Sequence, residues 1–290
     1  KKSDKNIFPF AVNPRKAIKD TIAAAGFEKM ITVKRTLDPL LLKMNTEGFL
    51  NGHTPFSALL AFYTSMIAAM SGIRNIALSN ESSANEPTVK GTEINHQYSK
   101  SFAFEKDFRE YINSWICSDI IYFSFLRPLS ELQIALLFSK YENHHSVFRS
   151  CNAGSKTDSW CGNCPKCLFT FIMLHAFMNP EKVSAIWGEN LFMKPSMKKY
   201  FDELSGASDV KPFECVGTVD EVNLALCETM KFYTDDSLPL LLKEYKETSL
   251  FSKFKSFSLN TEMSSFNNEH FLSDEFLNLL MKEYNAAFNR

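Results

Sequence analysis

The chain has 290 residues, of which 45% are hydrophobic and 22% charged, and its formal net charge is −1 at pH 7. These values are typical of a soluble globular protein that buries a large core in one or two domains. The near-zero charge gives no electrostatic basis for binding nucleic acid or an anionic membrane surface, so neither is an expected partner.

The first half of the chain alternates between strand-like and helix-like segments. Short apolar runs predict buried strands at residues 7–12, 30–33, 75–78 and 120–123. Helical spacing and stop signals predict helices at residues 17–25, 37–44, 55–70 and 104–115. This alternation predicts an α/β fold with a Rossmann-like parallel sheet flanked by helices.

The most apolar segment is residues 55–70, PFSALLAFYTSMIAAM. It contains Ser and Thr and is shorter than the roughly 20 residues that a membrane span requires. We therefore expect a helix buried in the α/β core and no membrane insertion.

The second half of the chain has mainly helical spacing, with one segment rich in Ser, Phe, Asn and Lys. Helices are predicted at residues 128–141, 165–177 and 274–288. An irregular connection anchored by Phe side chains is predicted at residues 249–268. This half is expected to form a helical C-terminal extension.

Two domains are predicted, packed together as one unit. Residues 1–150 are expected to form a Rossmann-like nucleotide-binding domain, and residues 151–290 a zinc knuckle with the helical region. The opening residues lack the apolar run of a secretory segment, so a cytoplasmic location is the default expectation.

Four of the seven cysteines form a cluster with the spacing C-x9-C-x2-C-x2-C: Cys151, Cys161, Cys164 and Cys167. Cys-x2-Cys turns direct two thiolates towards one point, so the cluster predicts a four-ligand metal site. Zinc is the favoured metal; an iron–sulfur cluster and buried or disulfide-bonded thiols are the alternatives. A closed four-ligand site is structural and does not by itself identify a reaction.

Polar residues also concentrate in predicted loops. Asn51 and His53 lie where the apolar helix begins and are candidates for an anion site on the helix N-terminus; the alternative is that Asn51 or Thr54 caps the helix. Asn80, Glu81 and Glu86 follow the third strand, and ligands bind at the carboxyl ends of strands in such sheets. The alternative for this second loop is a solvated surface turn.

Further candidates lie in other loops. His96 and Lys100 lie before the helix at 104–115, where a capping loop is the alternative reading. Arg127 lies at a strand-to-helix junction, and Arg149 lies beside the first cysteine of the cluster. Cys215 is outside the cluster and is either a reactive thiol or an inert buried cysteine.

Taken in order, these segments resemble one family, the bacterial UDP-N-acetylmuramoyl-L-alanyl-L-glutamate epimerases. The resemblance covers roughly residues 49–217 and rests on the blocks NGHTPFSA, SNESSANE, NHQYSKS, FE (Phe104 and Glu105), FLRPLSELQIA, FRSCN, WCGNCPKCLF and KPFECVG. The knuckle also resembles that of the 7-cyano-7-deazaguanine synthases, which belong to the same wider group of ATP pyrophosphatases with a Rossmann-like sheet.

The resemblance implies an isomerase of peptidoglycan biosynthesis and cell-wall biogenesis. Such an enzyme inverts the terminal L-glutamate of UDP-MurNAc-L-Ala-L-Glu to D-glutamate, using ATP and Mg²⁺ and releasing AMP and diphosphate. The chemistry is reasonable because adenylation removes the negative charge of the carboxylate, which makes the neighbouring α-hydrogen easier to abstract.

Roles for the individual residues are hypotheses from their chemistry. Glu81 and Glu86 are candidates for Mg²⁺ binding or for the base. His96, Lys100 and Cys215 are candidate proton carriers. The remaining candidates bind the nucleotide or substrate: Asn51, His53, Asn80, Arg127, Arg149 and Lys211.

One feature of the wider group is missing from the sequence. No Gly-rich S/G-G-G-K-D-S loop for the ATP phosphates occurs. We expect this loop upstream of Lys1; the alternative is that the protein has lost ATP binding. Two other hypotheses stay open: an ATP pyrophosphatase that modifies a nucleobase or forms an amide, and a non-catalytic zinc-knuckle module that binds nucleic acid. The sequence leaves the oligomeric state undetermined.

Overall fold

The computed structural model describes residues 6–50, 54–85, 97–212, 214 and 216–289, without the side chains of residues 84 and 85. Two strands and three helices open the chain: β1 (Phe10–Val12), α1 (Lys16–Ala24), β2 (Ile31–Val33), α2 (Pro39–Thr46) and α3 (Phe56–Ser71). The next elements are β3 (Asn75–Leu78), α4 (Phe102–Trp115), β4 (Ile121–Ser124), α5 (Glu131–Ser139) and α6 (Glu142–His145).

The C-terminal part is helical. Its helices are α7 (Pro165–His175), α8 (Pro180–Trp187), α9 (Lys198–Ser205), α10 (Val219–Met230), α11 (Leu240–Lys246), α12 (Ser249–Phe254), α13 (Leu259–Met263) and α14 (Asp274–Phe288). The predicted helical character of this region is therefore confirmed. The irregular connection expected at 249–268 is wrong in part, because α12 and α13 occupy much of it.

The four strands form two parallel pairs. β1 pairs with β2 in the register Ala11 to Thr32, and β3 pairs with β4 in the register Ile76 to Tyr122. Within the described residues these pairs are two separate sheets, so the predicted parallel pairing is confirmed. A single Rossmann-like sheet flanked by helices is not formed by these residues and stays a prediction.

Local signals explain where several helices begin and end. Ser130 accepts a hydrogen bond from the backbone N–H of Gln133, whose side chain accepts one from the backbone of Ser130, so α5 begins at Glu131 rather than at Pro128. Pro165 occupies the first turn of α7, where a missing N–H costs nothing. α3 ends at Gly72, which has a φ of 66° that favours glycine.

The prediction that α3 is a buried helix is wrong for this structure. Its buried residues are the small Ala61, Ser65 and Ala68. Met66 and Met70 on the opposite side are 52% and 80% exposed. The helix is apolar on both sides, but the described residues cover only one of them.

Two apolar cores hold together the described residues from Ala61 onwards. The larger joins β4 and α5 to the C-terminal helices and centres on α7, whose Leu168, Phe171 and Ile172 are fully buried. The smaller lies between α3, α4 and the β3–β4 pair and includes Phe108 and Tyr122. None of the helices in the described part of the chain has the length and apolar character needed to cross a membrane.

Candidate functional site

The cysteine knuckle (residues 151–167) brings its four thiols to one point. All four sulfur atoms lie within 4.8 Å of one another. The Sγ atoms of Cys151 and Cys164 are 3.8 Å apart, and those of Cys161 and Cys167 are 3.7 Å apart. Tetrahedral zinc with Zn–S bonds of about 2.3 Å places its sulfurs about 3.8 Å apart, so the geometry fits a zinc ion.

The backbone of the knuckle is already arranged for thiolates. The N–H of Gly154 donates to Cys151 Sγ at 3.1 Å, and the N–H of Asn163 donates to Cys161 Sγ at 3.4 Å. Burial raises the pKa of the Cys161 thiol to about 11. The pKa of the Cys164 thiol is also raised, mainly by its hydrogen bond with Cys167 and secondly by burial. A bound cation would reverse this preference for the protonated thiol, because metal ligation requires thiolates.

The knuckle loop also contacts the N-terminal part of the chain. The N–H of Ala17, in the first turn of α1, donates to Asp158 Oδ1 at 3.4 Å. A guanidinium nitrogen of Arg15 donates to the carbonyl of Ser155. α1 is capped in this way by the knuckle loop rather than by its own N-cap residue, so the loop connects the β1–α1 segment to the larger core.

On its other side the knuckle loop contacts the loop before α10. Asn152 Nδ2 donates to Glu214 Oε2 at 2.6 Å. Gly217 packs so closely that an added Cβ would lie 3.1 Å from the ring of Phe169 on α7. Glu214 is therefore held against the knuckle, and Gly217 against the helix that follows it.

A second group of polar residues lies at the carboxyl ends of β3 and β4. We call Asn80, Glu81, Glu105, Ser124 and Arg127 the strand-end cluster. Asn80 Nδ2 donates to Ser124 Oγ at 3.0 Å, which joins the ends of the two strands. The N–H of Ser124 in turn donates to Glu105 Oε1 at 3.0 Å, which connects α4 to the end of β4.

Arg127 is the centre of this cluster and is completely buried. Its Nη1 donates to the carbonyl of Glu81 at 2.6 Å, and its Nη2 donates to the carbonyl of Lys100 at 2.5 Å. Nη2 also lies 3.2 Å from Glu105 Oε2, a carboxylate that is 1% exposed. The guanidinium therefore joins the loop after β3 to the turn before α4.

The carboxylate of Glu81 is held within its own loop. Its Oε1 accepts a hydrogen bond from the Ser83 hydroxyl at 3.2 Å. The neighbouring Ser82 donates through both its N–H and its hydroxyl to the carbonyl of Leu129. The loop is thereby anchored to the turn that leads into α5.

The other predicted site residues lie apart from this cluster or outside the described structure. Arg149 belongs to the knuckle, where its guanidinium donates to the carbonyls of Ser146, Phe148 and Asp158. Lys211 lies half-buried in the loop before α10. The predicted residues that lie outside the described part of the chain are Asn51, His53, Glu86, His96 and Cys215.

Sequence reasoning left Glu105, Ser124 and Asp158 out of the candidate set. Ser124 is the last residue of the buried strand β4. A polar side chain at the carboxyl end of a parallel strand indicates a candidate site residue, because ligands bind at such ends. Glu105 lies on the buried side of α4, where a carboxylate requires a partner. The role of Asp158 has no local signal, because its contact with Ala17 spans 141 residues.

The described residues define a helix-rich protein with two small parallel sheets, a four-cysteine knuckle that could hold a metal ion and a polar cluster at the ends of β3 and β4. The family model described as the MurL N-terminal domain matches residues 1–125, and that described as the MurL C-terminal domain matches residues 147–250. The chain belongs to the MurL family.

Three curated relatives carry the name UDP-N-acetyl-alpha-D-muramoyl-L-alanyl-L-glutamate epimerase. Those from Salinispora tropica and a Micromonospora species are each 38% identical over 224 residues, which is 75% of this chain and 49% and 50% of the relatives. The relative from Xanthomonas oryzae pv. oryzae is 37% identical over 205 residues, 68% of this chain and 46% of the relative. The chain thus spans about half the length of these relatives. No solved structure matches it.

Proposed function

We propose that this chain takes part in the ATP-dependent epimerisation of the terminal L-glutamate of UDP-MurNAc-L-Ala-L-Glu to D-glutamate. Family membership and the name shared by the three relatives support this reaction class. The step would belong to cytoplasmic peptidoglycan precursor synthesis, with the UDP-linked dipeptide and ATP as small-molecule substrates.

The reaction would begin with attack of the glutamate α-carboxylate on the α-phosphorus of ATP. Diphosphate leaves, and an acyl-adenylate forms. Loss of the carboxylate charge lets the carbonyl accept the electron pair released when the α-hydrogen is taken as a proton. Return of a proton to the opposite face inverts the centre, and hydrolysis of the acyl-adenylate releases UDP-MurNAc-L-Ala-D-Glu and AMP.

The observation that carries the proposal for this site is the pair of hydrogen bonds from Arg127 to the carbonyls of Glu81 and Lys100. These bonds fix two loops that carry one carboxylate and one amine, the two kinds of group that a proton abstraction and return require. A rigid backbone under both groups holds them in position without solvent reorganisation. We assign the base to Glu81 and a proton carrier to Lys100.

An oxygen ligand for Mg²⁺ is available at the same edge. The side-chain oxygen of Asn80 is a hard ligand of the kind that Mg²⁺ prefers, whereas the Glu81 carboxylate serves as the base in this proposal. Mg²⁺ bound there would neutralise charge on the ATP phosphates. The cysteine knuckle has a different role in this proposal, because a closed set of four thiolates leaves no open position for a substrate.

The proposal is tested with a chimera in which this chain replaces the aligned stretch of the Salinispora tropica relative, incubated with UDP-MurNAc-L-Ala-L-Glu, ATP and Mg²⁺ in D₂O. Chiral analysis should detect D-glutamate with deuterium at Cα, together with AMP. The Salinispora tropica relative serves as the positive control. AMP without D-glutamate would favour an ATP pyrophosphatase of another pathway, and neither product under conditions where the relative is active would contradict the proposal.

A further inference from the structure

The N-terminal part of the chain exposes an unusual amount of apolar surface. More than half of the large apolar side chains that are exposed in the described structure lie between residues 7 and 70. We define the N-terminal apolar surface by six of them on or beside α2 and α3: Leu40, Leu42, Phe49, Phe62, Met66 and Met70. Exposed apolar surface on this scale usually indicates an interface.

α3 provides the first argument. Phe62, Met66 and Met70 recur at intervals of four residues and therefore lie along one side of the helix. They are 47%, 52% and 80% exposed, whereas the opposite side packs inward through small residues. A helix that is apolar on all sides is normally buried on all sides. The outer side of α3 therefore lacks a covering layer within the described residues.

α2 provides a second argument. None of its residues is buried, and Leu40 and Leu42 are 59% and 52% exposed. Neither of the two apolar cores in the described structure includes a residue before Ala61. The described residues before Ala61 thus have regular secondary structure but belong to neither apolar core.

The β1–β2 pair supplies the third argument and indicates the chemistry of the missing layer. Parallel sheets are covered on both faces, and two isolated strands are at most marginally stable. Within the described residues neither strand has a second neighbour. A further strand requires backbone N–H and C=O groups in register, which only a polypeptide supplies.

A second copy of this chain fits the sheet less well than a different polypeptide. In a two-fold symmetric dimer that joins the same edge strand of both copies, the two edge strands are antiparallel. The β1–β2 pair is parallel, so such a dimer would not continue its pairing pattern. The curated relatives, in contrast, contain a different polypeptide of suitable size, because between 46% and 50% of their length aligns with this chain.

We propose that the β1–β2 pair and the N-terminal apolar surface form a docking surface for the polypeptide that makes up the other half of these relatives. That polypeptide adds strands to the β1–β2 pair and covers α2 and the outer side of α3. The proposal concerns assembly and does not depend on the reaction proposed above.

The test compares one set of substitutions in two proteins. The first protein is this chain alone. The second is a chimera that keeps the unaligned half of the Salinispora tropica relative and carries this chain in place of the aligned stretch. The surface variant is Leu42→Gln/Met66→Gln/Met70→Gln. The control variant is Met193→Gln/Val210→Gln/Phe257→Gln, at side chains that are also more than half exposed.

In this chain alone, both variants should leave the Tm unchanged, and the surface variant should lose most of the fluorescence of a bound hydrophobic dye. In the chimera, the surface variant should lower the Tm by about 5–10 °C, because these side chains are now buried, while the control variant should not. Equal Tm values for the chimera and its surface variant would overturn the proposal.

Two other outcomes would also overturn it. Sedimentation equilibrium of this chain alone should show a monomer; a dimer that the surface variant dissociates would mean that a second copy covers the surface. A chimera that remains insoluble with the natural side chains at this surface would count against complementarity between the two halves.

Discussion

Arg127 and Glu105 form an ion pair of 3.2 Å between side chains that are 0% and 1% exposed. Such a pair has lost its hydration, so its geometry must be supported by further hydrogen bonds. Arg127 obtains them from the carbonyls of Glu81 and Lys100, and Glu105 obtains one from the N–H of Ser124. The pair thereby fixes the loops at the ends of β3 and β4.

Arg127→Met should destabilise the protein by about 3–5 kcal/mol, because it leaves the Glu105 carboxylate buried without its partner. Urea unfolding, monitored by circular dichroism, measures the change in the free energy of unfolding. Lys182→Met is the control, since Lys182 pairs with Glu142 at an exposed position and should cost less than about 0.5 kcal/mol. Equal effects of the two variants would show that the buried pair does not organise the strand ends.

Cys164→Ser should remove one of four metal ligands and with it most of the bound metal. A metal bound by four thiolates contributes to folding, so the Tm should fall together with the metal content. Elemental analysis and thermal unfolding measure the two quantities, and the same analysis distinguishes zinc from iron. Cys227→Ser, at a half-buried cysteine outside the knuckle, should leave the metal content unchanged. A stable, metal-free and fully active Cys164→Ser protein would show that the knuckle is dispensable.

Gly154→Ala tests the knuckle without changing a ligand. A Cβ at Gly154 would lie 1.9 Å from the carbonyl oxygen of Ser159 and 3.3 Å from Cys151 Sγ. The loop must therefore move, which should weaken metal binding and lower the Tm. Gly72→Ala is the matched control, because no atom lies within 4 Å of its Cβ and only the φ of 66° is unfavourable, at a cost of about 1 kcal/mol. Undiminished metal binding by Gly154→Ala would contradict the loop geometry described above.

The sequence predicts best what is local. The spacing of Cys151, Cys161, Cys164 and Cys167 is sufficient to predict that four thiols converge, and the apolar run at Asn75–Leu78 is sufficient to predict β3. These features need only short-range geometry. The four strands and the seven helices predicted with bounds are for that reason placed within a few residues of α1–α5, α7 and α14 and of β1–β4, whereas α6 and α8–α13 are not predicted individually.

What the sequence does not predict depends on contacts between distant segments. It identifies Arg127 as a cation at a strand end, but its ion pair with Glu105 joins residues 22 apart, and its role as an anion ligand stays a prediction. Likewise, the apolar pattern of α3 predicts burial on all sides, whereas the described residues cover one side. The sequence pattern indicates whether a side chain favours burial or a charged partner. Which residues bury it or pair with it is decided by the tertiary structure.

His175 should make the stability depend on pH. Burial in α7 lowers the pKa of its imidazole to about 4, below the value of about 6.5 in an unfolded chain. The unfolded state therefore binds the proton more readily than the folded state. The contribution of neutral His175 to the free energy of unfolding is complete above about pH 6.5 and is lost as the pH falls towards 4. The loss amounts to about 3 kcal/mol for a shift of this size.

His175→Leu should flatten the pH dependence of the free energy of unfolding between about pH 6.5 and 4, whatever its effect at pH 7. Urea titrations at several pH values measure this slope. His144→Gln, at a histidine that is only partly buried, should retain the wild-type slope. An unchanged slope in His175→Leu would mean that another group controls the acid sensitivity.

Glu81→Gln tests the proposed reaction most directly, because it removes the assigned base and keeps the shape of the side chain. A general base typically contributes a factor of about 10²–10⁴, so deuterium incorporation at the glutamate Cα should fall by at least about 100-fold. The Tm should change little, since the hydrogen bond from Arg127 goes to the backbone carbonyl of Glu81 and not to its carboxylate. Ser83→Ala removes only the hydroxyl that donates to Glu81 Oε1 and should have a much smaller effect. If Glu81→Gln retained full exchange while Lys100→Met lost it, the base would be assigned to Lys100 and the Glu81 carboxylate to metal or substrate binding.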